Sequence, residues 1–415
     1  MRPIPLIPLG FLVAGLCAPQ ASMAAHKETV MVPMRDGVML ATDTYVPEEG
    51  RLPTVLIRTP YGKGNLDQVF IDVIVDQLGF SLVMQDTRGQ GASQGIDQVF
   101  YTDGWGALQD GYDTVDWIVQ QAWCDGNVGE MGVSAMGIAA LLNGGAAHPA
   151  LKALHVGIAP TDFYQQAAYP GGSYREALID DWVNGQDAGY MLEEYQAHPW
   201  DDAFWAQLDI RDRLASTVTI PIYFYGGFHD VFAEGTVTGY ETMAPKYEAG
   251  EAGYTHLLMG PWTHLDEGAF WTRQGELTYP QDSLLPIGDA SPFNWFNQWL
   301  KGQHRPLRDA RHFPVRVFVM GDPEDPKTAG NYWAWGEEWP VPATTRRYYL
   351  RAGGGLSTTE GGGGEEPLPF IADPADPSPT LGGRELSLPA GPGISAPSRR
   401  ATTCSSSRPS RWRRR

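Results

Sequence analysis

Short apolar runs rich in β-branched residues alternate with amphipathic stretches between Leu52 and Leu300. Runs of this kind are typical of strands, and their alternation with helical stretches predicts βα units around a mostly parallel sheet. An amphipathic helix is predicted over Asp110–Gln121. The predicted strands are Thr54–Arg58, Ser81–Gln85, Val128–Val133, Leu154–Ile158, Ile220–Tyr225 and His256–Met259.

This alternation stops between Ala159 and about Ala215, where Tyr, Trp and acidic residues are frequent. We interpret this stretch, at about residues 160–215, as a mainly helical cap inserted into the sheet domain. Two roles remain open for it: a lid over a substrate pocket, or an insertion that only packs on the sheet.

A different pattern begins after Gln303. Pro314–Met320 and Arg346–Leu350 alternate in the manner of antiparallel strands and are separated by Pro, Gly and Asp turns. The sequence therefore predicts an α/β domain over residues 26–305 and the start of a β domain over residues 306–388. The Gly-rich segment Gly353–Gly364 is predicted to be a flexible loop.

The first 25 residues have the layout of a secretory signal peptide: Arg2, an apolar run from Ile4 to Ala18, and small residues around Ala24. The run is too short and too interrupted by proline to be a spanning helix. We therefore expect a protein exported to the periplasm or beyond, with no membrane attachment after the signal is removed. A lipoprotein signal through Cys17 is the weaker alternative, because the bulky Leu16 precedes that cysteine.

Composition limits the classes of function. Hydrophobic residues make up 42% of the chain, which permits a packed core, and the formal net charge is −19. A surface this acidic repels phosphate groups, so nucleic-acid binding is disfavoured. No His-Glu-x-x-His, Cys-x-x-Cys or Gly-Lys-Ser/Thr motif occurs, so the sequence implies no metal and no cofactor. The oligomeric state stays open, with a homo-oligomer as one possibility.

A candidate nucleophile lies where the strand Val128–Val133 meets a helix-compatible run of small residues. Ser134 stands within Gly-Val-Ser-Ala-Met-Gly, residues 132–137. A sharp strand-to-helix turn presents a serine hydroxyl above the sheet, and small neighbours let the strand and helix approach closely. The common pattern places Gly two residues after the serine, where this chain has Met136. A chance Gly-x-Ser turn is the alternative interpretation.

Two further candidates follow Ser134 in the order acid, then histidine, which is the order found in α/β-hydrolases. Asp230 and His264 each lie in a loop just beyond a predicted strand. His264 would accept the Ser134 proton and later protonate the leaving group, while Asp230 would fix the imidazole tautomer. Taken singly, Asp230 fits a turn-forming residue and His264 a structural histidine; His229 and His256 are interpreted as structural.

Donors for a tetrahedral oxyanion are expected at two places. One is the backbone N–H of Ala135, directly after the nucleophile. The other is the loop after Thr54–Arg58, where Tyr61 offers a phenol.

Longer motifs surround these candidates. They are Met-Val-Pro-Met-Arg-Asp-Gly-Val at 31–38, Arg-Thr-Pro-Tyr at 58–61, Gln-Asp-Thr-Arg-Gly at 85–89, Ala-Trp-Cys-Asp-Gly-Asn-Val-Gly at 122–129, Gly-Val-Ser at 132–134 and Gly-Pro-Trp-Thr-His at 260–264. Together they resemble the cocaine esterase and X-prolyl dipeptidyl-peptidase family over roughly residues 28–385. The resemblance implies an α/β-hydrolase domain with a helical cap, followed by a C-terminal jelly-roll β domain. The site residues that it implies are Ser134, Asp230 and His264 as the triad, Tyr61 and Ala135 as the oxyanion hole, and Trp182 and Phe232 in the acyl pocket.

The chain departs from the family pattern in this pocket. Ala135 stands where the family usually has Tyr, and Ala168 stands where the esterase members have a further Trp. The pocket is therefore expected to differ in shape from that of the aromatic-ester hydrolases.

The end of the chain departs further, because residues 389–415 form a Ser- and Arg-rich basic tail where the jelly-roll should continue. We interpret this tail as frameshifted and disordered, since one GC-rich choice of codons for residues 393–413, read from the third base, resembles the family's continuation. A natural basic tail is the alternative. With an incomplete β domain, we expect Pro314–Met320 and Arg346–Leu350 to lose their sheet partners and the chain to be poorly stable.

The sequence as a whole predicts a serine hydrolase that cleaves an ester or amide acyl bond of a small molecule or short peptide. An X-Pro or other dipeptidyl-peptidase, or an amino-acid ester hydrolase, is the first alternative. Its substrate ammonium would need carboxylates, and the cap offers Asp180, Asp181, Glu193 and Glu194, although acidic cap residues are more often only solvated. An inactive truncated product is the second alternative.

Overall fold

The computed structural model describes residues 26–65, 71–251, 253–264, 268–303, 313–325, 327, 329–351, 355–361, 364, 375, 382–386 and 390–392. The predicted signal peptide, residues 1–25, and residues 393–415 of the predicted tail lie outside the described residues.

A ten-stranded sheet forms the centre of the molecule. Its first eight strands are β1 (His26–Pro33), β2 (Met39–Val46), β3 (Leu52–Thr59), β4 (Ser81–Asp86), β5 (Cys124–Val133), β6 (Leu151–Gly157), β7 (Ile222–Gly227) and β8 (Thr255–Gly260). The strands β9 (Arg273–Gln274) and β10 (Leu277–Thr278) form a separate hairpin, and β11 (Val315–Val319) and β12 (Tyr332–Gly336) complete the large sheet.

The strand order is β1-β2-β4-β3-β5-β6-β7-β8-β11-β12. All neighbours from β4 to β11 are parallel, while the pairs β1–β2, β2–β4 and β11–β12 are antiparallel. Parallel strands place their carboxyl ends on one edge of the sheet, which is where ligands bind in open α/β folds.

Helices cover both faces of this sheet. The α-helices of the described residues are α1 (Asp110–Val119), α2 (Ala135–Ala146), α3 (Glu176–Gly185), α4 (Met191–Ala197), α5 (Arg211–Ser216), α6 (Ala233–Glu248), α7 (Ile287–Ala290) and α8 (Pro292–Lys301). Strand β3 has apolar side chains on both faces of the sheet. Leu56 packs in the core cluster shared with α1 and α2, whereas Val55 and Ile57 pack in the cluster shared with α8. Alternate side chains of a strand point to opposite faces, so both faces are apolar and buried.

The segment between β6 and β7 is mainly helical, as predicted for the cap. It contains α3, α4 and α5 together with shorter helical turns at Tyr164–Ala168, Pro170–Gly172 and Trp205–Gln207. Its aromatic composition has a packing role, because Trp205 is 1% exposed and its ring contacts those of Tyr164, Tyr169 and Tyr195.

The six predicted strands and the predicted helix α1 are present in the sheet domain, with ends shifted by up to four residues. The antiparallel strands β1, β2 and β12 lie outside the runs that the sequence pattern singled out. The parallel α/β architecture with an inserted helical cap is confirmed.

The prediction for Pro314–Met320 is wrong in one respect. The strand exists as β11, but it lies inside the central sheet, parallel to β8 on one side and antiparallel to β12 on the other. The expected domain boundary after residue 305 and the expected loss of sheet partners therefore do not hold for this strand. Periodicity identifies a strand but not its neighbour.

Two predictions further along the chain also need correction. The strand predicted at Arg346–Leu350 is instead β13 (Tyr349–Arg351), and it pairs with β14 (Gly355–Ser357), which lies within the segment predicted as a flexible loop. A second small hairpin joins β15 (Gly382–Gly383) to β16 (Gly391–Pro392). These hairpins are the β structure that the described C-terminal residues contain outside the central sheet.

Candidate active site

Ser134 lies in the sharp turn between strand β5 and helix α2. Its backbone has φ 53° and ψ −125°, which costs a non-glycine residue conformational energy. The Ser134 N–H donates to the Gly157 carbonyl (3.0 Å), and the Ile138 N–H donates to the Ser134 carbonyl (2.9 Å). A side chain at Gly132 is excluded, because its Cβ would lie 2.2 Å from the Met136 carbonyl oxygen. The backbone thus holds a partly exposed serine at the carboxyl edge of the sheet.

His264 connects Ser134 with Asp230. Its Nε2 lies 2.8 Å from Ser134 Oγ, and its Nδ1 lies 2.8 Å from Asp230 Oδ2. A carboxylate can only accept, so Nδ1 carries the imidazole proton and Nε2 accepts from the serine hydroxyl. The His264 and Asp230 side chains are buried, which keeps water from competing for these contacts. The structure therefore brings together the three residues that the sequence predicts as a triad.

The turn after β7 fixes the orientation of the Asp230 carboxylate. The Phe232 N–H donates to Asp230 Oδ1 (2.6 Å), which leaves Oδ2 directed at His264. The Asp230 N–H in turn donates to the Gly227 carbonyl (3.0 Å). Asp230 is thus a turn-forming residue as well as the partner of the imidazole.

Backbone hydrogen bonds join the Asp230 loop to the His264 loop. The Phe228 N–H donates to Gly260 O (2.9 Å), and the His229 N–H donates to Trp262 O (3.0 Å). Gly227 permits this approach, because a Cβ there would lie 2.0 Å from Trp262 O. The relative position of the carboxylate and the imidazole is therefore set by main-chain contacts.

Gln274 supports the His264 loop from the other side. Its Oε1 accepts from Thr263 N (2.8 Å) and its Nε2 donates to Gly268 O (2.8 Å) and Trp271 O (2.7 Å). The side chain is fully buried. Sequence reasoning missed this residue, since a single Gln outside any motif gives no signal.

Tyr61 and Ala135 are the predicted oxyanion donors. Ala135 is the first residue of α2, and the first N–H groups of a helix have no acceptor within the helix. The Tyr61 hydroxyl oxygen accepts a hydrogen bond from Trp182 Nε1 at 2.9 Å. Burial raises the pKa of Tyr61 to about 12, so the phenol keeps its proton at neutral pH.

The two predicted pocket aromatics lie at different places in this site. The Phe232 ring stands edge-on to the His264 imidazole, with 5.3 Å between centroids and 85° between planes. Trp182 belongs to the cap helix α3, and its ring stacks on that of Phe100, with 5.4 Å between centroids and 14° between planes. Phe100 was not singled out in the sequence, because its backbone lies in a loop where periodicity gives no guidance.

Two further histidines of the sheet are buried, and the sequence interpreted one of them, His256, as structural. His155 and His256 lie on either side of the Tyr223 ring, with centroids 4.8 and 4.4 Å away. Burial lowers the pKa of each of these two histidines to about 3, which keeps them neutral. His229 is also partly buried, and burial lowers its pKa.

A buried polar group lies beneath the serine turn. Glu130, on β5, accepts a hydrogen bond from Asn143 Nδ2 of α2 (Oε2 to Nδ2, 2.5 Å), which ties the strand to the helix. Burial raises the pKa of Glu130 to about 8, partly offset by the charge of Arg58. Arg58 itself pairs with Asp103 at 2.6 Å.

The four acidic cap residues do not form a buried carboxylate site. Asp181, Glu193 and Glu194 are exposed. Asp180 accepts a hydrogen bond from the Tyr174 hydroxyl at 2.6 Å. The structure thus agrees with the interpretation of Asp181, Glu193 and Glu194 as solvated surface residues, whereas Asp180 is half-buried.

Within the described ranges, no group of three or more His, Cys, Asp or Glu residues is arranged to hold a metal ion. The same part of the chain contains no helix that is both long and apolar enough to cross a bilayer. Cys124, on β5, is buried and unpaired.

Comparison with known proteins defines the class. The fold and the matches together identify an acyl hydrolase of the α/β-hydrolase class. The model of the X-Pro dipeptidyl-peptidase (S15) family matches residues 36–191 and 176–266, more than half of the chain, so the chain belongs to that family. This confirms the resemblance inferred from the motifs.

Individual relatives are similar at moderate identity. The cocaine esterase of Rhodococcus sp. (strain MB1 Bresler) is 28% identical over 422 residues, covering 86% of this chain and 69% of that protein. An α-amino acid ester hydrolase structure has a TM-score of 0.69 at 24% identity, covering 91% of this chain and 70% of that one. An aminopeptidase structure from a marine sediment archaeon, Thaumarchaeota archaeon, has a TM-score of 0.68 at 23% identity, covering 88% and 68%. The two structural matches establish the shared fold.

Proposed function

We propose that this chain is a serine hydrolase that cleaves an ester or amide bond through a covalent acyl-enzyme. The observation that carries the proposal is the continuous contact from Ser134 Oγ through the His264 ring to Asp230 Oδ2, with both hydrogen bonds at 2.8 Å. Serine becomes a useful nucleophile only beside a base that is itself oriented, and this arrangement supplies both.

In the acylation step, Ser134 Oγ forms a bond to the substrate carbonyl carbon while its proton passes to His264 Nε2. The carbonyl π electrons move to the oxygen, which becomes an oxyanion. Collapse of this tetrahedral intermediate breaks the bond to the leaving group, which takes the proton from His264. The products of this half-reaction are an alcohol or amine and an ester of Ser134.

In the deacylation step, a water molecule takes the place of the leaving group. His264 removes one water proton as the water oxygen attacks the acyl carbon, and then returns it to Ser134 Oγ as that bond breaks. Asp230 stabilises the imidazolium in both steps without taking the proton.

The oxyanion of both intermediates is proposed to accept hydrogen bonds from the Ala135 N–H and the Tyr61 hydroxyl. Donors placed before the reaction need no reorganisation when charge develops, which is why such sites contribute strongly to the rate. The pKa of Tyr61, raised to about 12 by burial, supports this role because a phenol must be protonated to donate.

An uncharged acyl group fits the proposed pocket best. Phe232 and Ala135 are buried in the main apolar core, and the partly buried Trp182 packs against that core. A dipeptidyl-peptidase or amino-acid ester hydrolase needs a carboxylate for the substrate ammonium, and three of the four cap acids face solvent. We therefore favour esters of neutral acids, while peptide and amino-acid derivatives remain the second candidate.

Substrate profiling tests this proposal. The purified protein is assayed on a series of phenyl esters and on aminoacyl p-nitroanilides, beside Ser134→Ala. We expect ester hydrolysis that the variant lacks, and covalent labelling of Ser134 by a fluorophosphonate. Wild-type rates in Ser134→Ala would overturn the mechanism, and faster turnover of the p-nitroanilides would favour the peptidase.

We also propose that the protein is exported, on the strength of the apolar run from Ile4 to Ala18 and the small residues that follow it. The mature N-terminus is expected after Ala24 or Ala25. Expression of the full gene in a bacterium with a periplasm, followed by fractionation and mass measurement, checks this. An intact N-terminus in the cytoplasmic fraction would contradict it.

A further inference from the structure

Trp182 links the cap to the loop that carries Tyr61. The indole Nε1 lies 2.9 Å from the Tyr61 hydroxyl oxygen and donates to it. One partner belongs to the inserted helix α3, and the other follows strand β3 of the central sheet. A contact between these two units therefore ends directly on a proposed oxyanion donor.

We infer that Trp182 is a positioning residue: its indole N–H orients the Tyr61 hydroxyl toward the oxyanion and so couples the placement of the cap to the rate of acyl transfer. The inference rests on the proposed function, because it requires Tyr61 to be an oxyanion donor. It adds a role for Trp182 that differs from shaping the acyl pocket.

The donor and acceptor chemistry of the pair has one consistent arrangement. An indole nitrogen can only donate, whereas a phenol has one proton and two acceptor sites. Because Tyr61 accepts from Trp182, its own proton must point to an acceptor other than the indole. The indole N–H thereby occupies one of the two acceptor sites on the oxygen, which restricts rotation of the hydroxyl about its C–O bond.

The contact also affects how strongly Tyr61 donates. Burial raises the pKa of Tyr61, and the hydrogen bond from Trp182 acts in the opposite direction. When the phenol shares its proton with an oxyanion, negative charge builds on the Tyr61 oxygen, and the indole N–H stabilises that charge. Hydrogen bonds in such a chain strengthen one another.

Phe100 holds the indole in place. The two rings are stacked at 5.4 Å and 14°, and the Phe100 side chain is 6% exposed. A small cavity lined in part by Pro60, Phe100 and Trp182 lies beside them. The stack with Phe100 on the ring face and the hydrogen bond to Tyr61 at Nε1 together fix the direction of the indole.

A double-mutant cycle tests the inference. kcat and KM are measured on phenyl acetate for wild type, Tyr61→Phe, Trp182→Phe and the double variant. Tyr61→Phe should lower kcat about 100-fold or more. Trp182→Phe keeps an aromatic ring against Phe100 but removes the N–H, and should lower kcat about 3- to 10-fold, the effect of one hydrogen bond, with little change in KM.

The decisive result is the effect of Trp182→Phe in the Tyr61→Phe background. If the indole acts through the hydroxyl, its removal there should change kcat less than about twofold, since interacting residues are not additive. An equal loss in both backgrounds would overturn the inference, as would no loss in the wild-type background.

Two further variants separate positioning from damage to the cap. Tyr174→Phe removes the hydrogen bond to Asp180 on the same helix and should leave kcat within about twofold. Phe100→Leu keeps the indole but removes its stack, and should lower kcat only while Tyr61 is present; this variant gives the answer if Trp182→Phe fails to fold. A loss of the same size in Tyr174→Phe as in Trp182→Phe would overturn the inference.

Ser134→Ala tests the proposed function, and Tyr61→Phe tests the role of Tyr61, so the two can fail independently. If Tyr61→Phe has wild-type kcat while Ser134→Ala is inactive, the inference fails and the proposed nucleophile stands. If Ser134→Ala is active, the proposed function itself fails.

Discussion

The proposed triad and the proposed oxyanion donor Tyr61 are held by different kinds of contact. Ser134, Asp230 and His264 are in loop tips of a single sheet. Main-chain hydrogen bonds and close glycine contacts fix those loops, and the buried Gln274 side chain gives the His264 loop a further support. The Tyr61 hydroxyl is contacted by Trp182, a side chain of the inserted cap.

The two kinds of contact differ in their sensitivity to substitution. Main-chain contacts depend on the fold, so any sequence that forms the sheet and its turns reproduces them. A contact between two side chains depends on one residue at each end and can be lost by a single substitution. We therefore expect the geometry of the proposed triad to resist changes in the cap, and the rate of the proposed acyl transfer to respond to them.

The largest expected effect is that of Ser134→Ala. Loss of the nucleophile should lower kcat/KM by about 10⁴-fold or more, because only binding and oxyanion contacts remain. The thermal midpoint should change little, since Ser134 is partly exposed. Measured activity above that level, with a correct fold by circular dichroism, would contradict the role of Ser134.

Asp230→Asn is expected to have the next largest effect. An amide fills the same space, but its NH2 group directed at His264 favours the tautomer with the proton on Nε2, which cannot accept from Ser134. We expect kcat to fall about 10³- to 10⁴-fold. The imidazole proton resonances of the two proteins report the tautomer, and an unchanged tautomer with unchanged kcat would refute this assignment.

Gln274→Ala should have an intermediate effect on both rate and stability. It removes the acceptor of the Thr263 N–H beside His264, and a buried donor without its partner costs about 1–3 kcal/mol. Displacement of the loop should lower kcat about 10- to 100-fold. The matched control is Gln120→Ala, which truncates an exposed Gln whose side chain bonds Asp116 and should leave both measurements unchanged.

Glu130→Gln should have the smallest effect on rate and a distinct effect on stability. Burial raises the pKa of Glu130 to about 8 in the folded protein, above its unfolded value, so the folded state holds this proton more tightly. The contribution of Glu130 is therefore most favourable below its unfolded pKa and is lost as pH rises to about 8. We expect the free energy of unfolding of wild type, relative to the Gln variant, to fall between pH 5 and pH 9.

Denaturant unfolding at several pH values measures that difference. A constant gap between wild type and Glu130→Gln would show that Glu130 does not titrate in this range. Activity of the variant at a fixed pH should remain within about threefold of wild type, because the hydrogen bond to Asn143 is retained by the amide oxygen.

The sheet and the triad candidates were accessible from the sequence for physical reasons. Buried parallel strands are continuous apolar runs in the sequence. Ser134, Asp230 and His264 each follow such a run, at the point where the chain turns. Backbone requirements of this kind leave a local trace. The order serine, acid, histidine could be read from the positions of these three residues along the chain.

The side chains that support the candidate site could not be predicted from the local sequence. Trp182 contacts Phe100 and Tyr61, which are far from it in the sequence, and Gln274 bonds main-chain atoms 3 to 11 residues away. No periodic pattern distinguishes any of these side chains. The misplaced strand β11 has the same origin, because its alternation fits a strand in either domain and pairing is decided by the whole sheet.

The position of β11 bears on the order in which the enzyme is completed. Strand β8, which leads to His264, pairs on its outer side with β11, and β11 is synthesised well after the histidine. In an incompletely synthesised chain, β8 is therefore an unpaired edge strand. Catalytic competence would then arise late, when β11 and β12 complete the central sheet. Proteins released from the ribosome before Val319 are expected to be targets for chaperones and proteases instead of partially active enzymes.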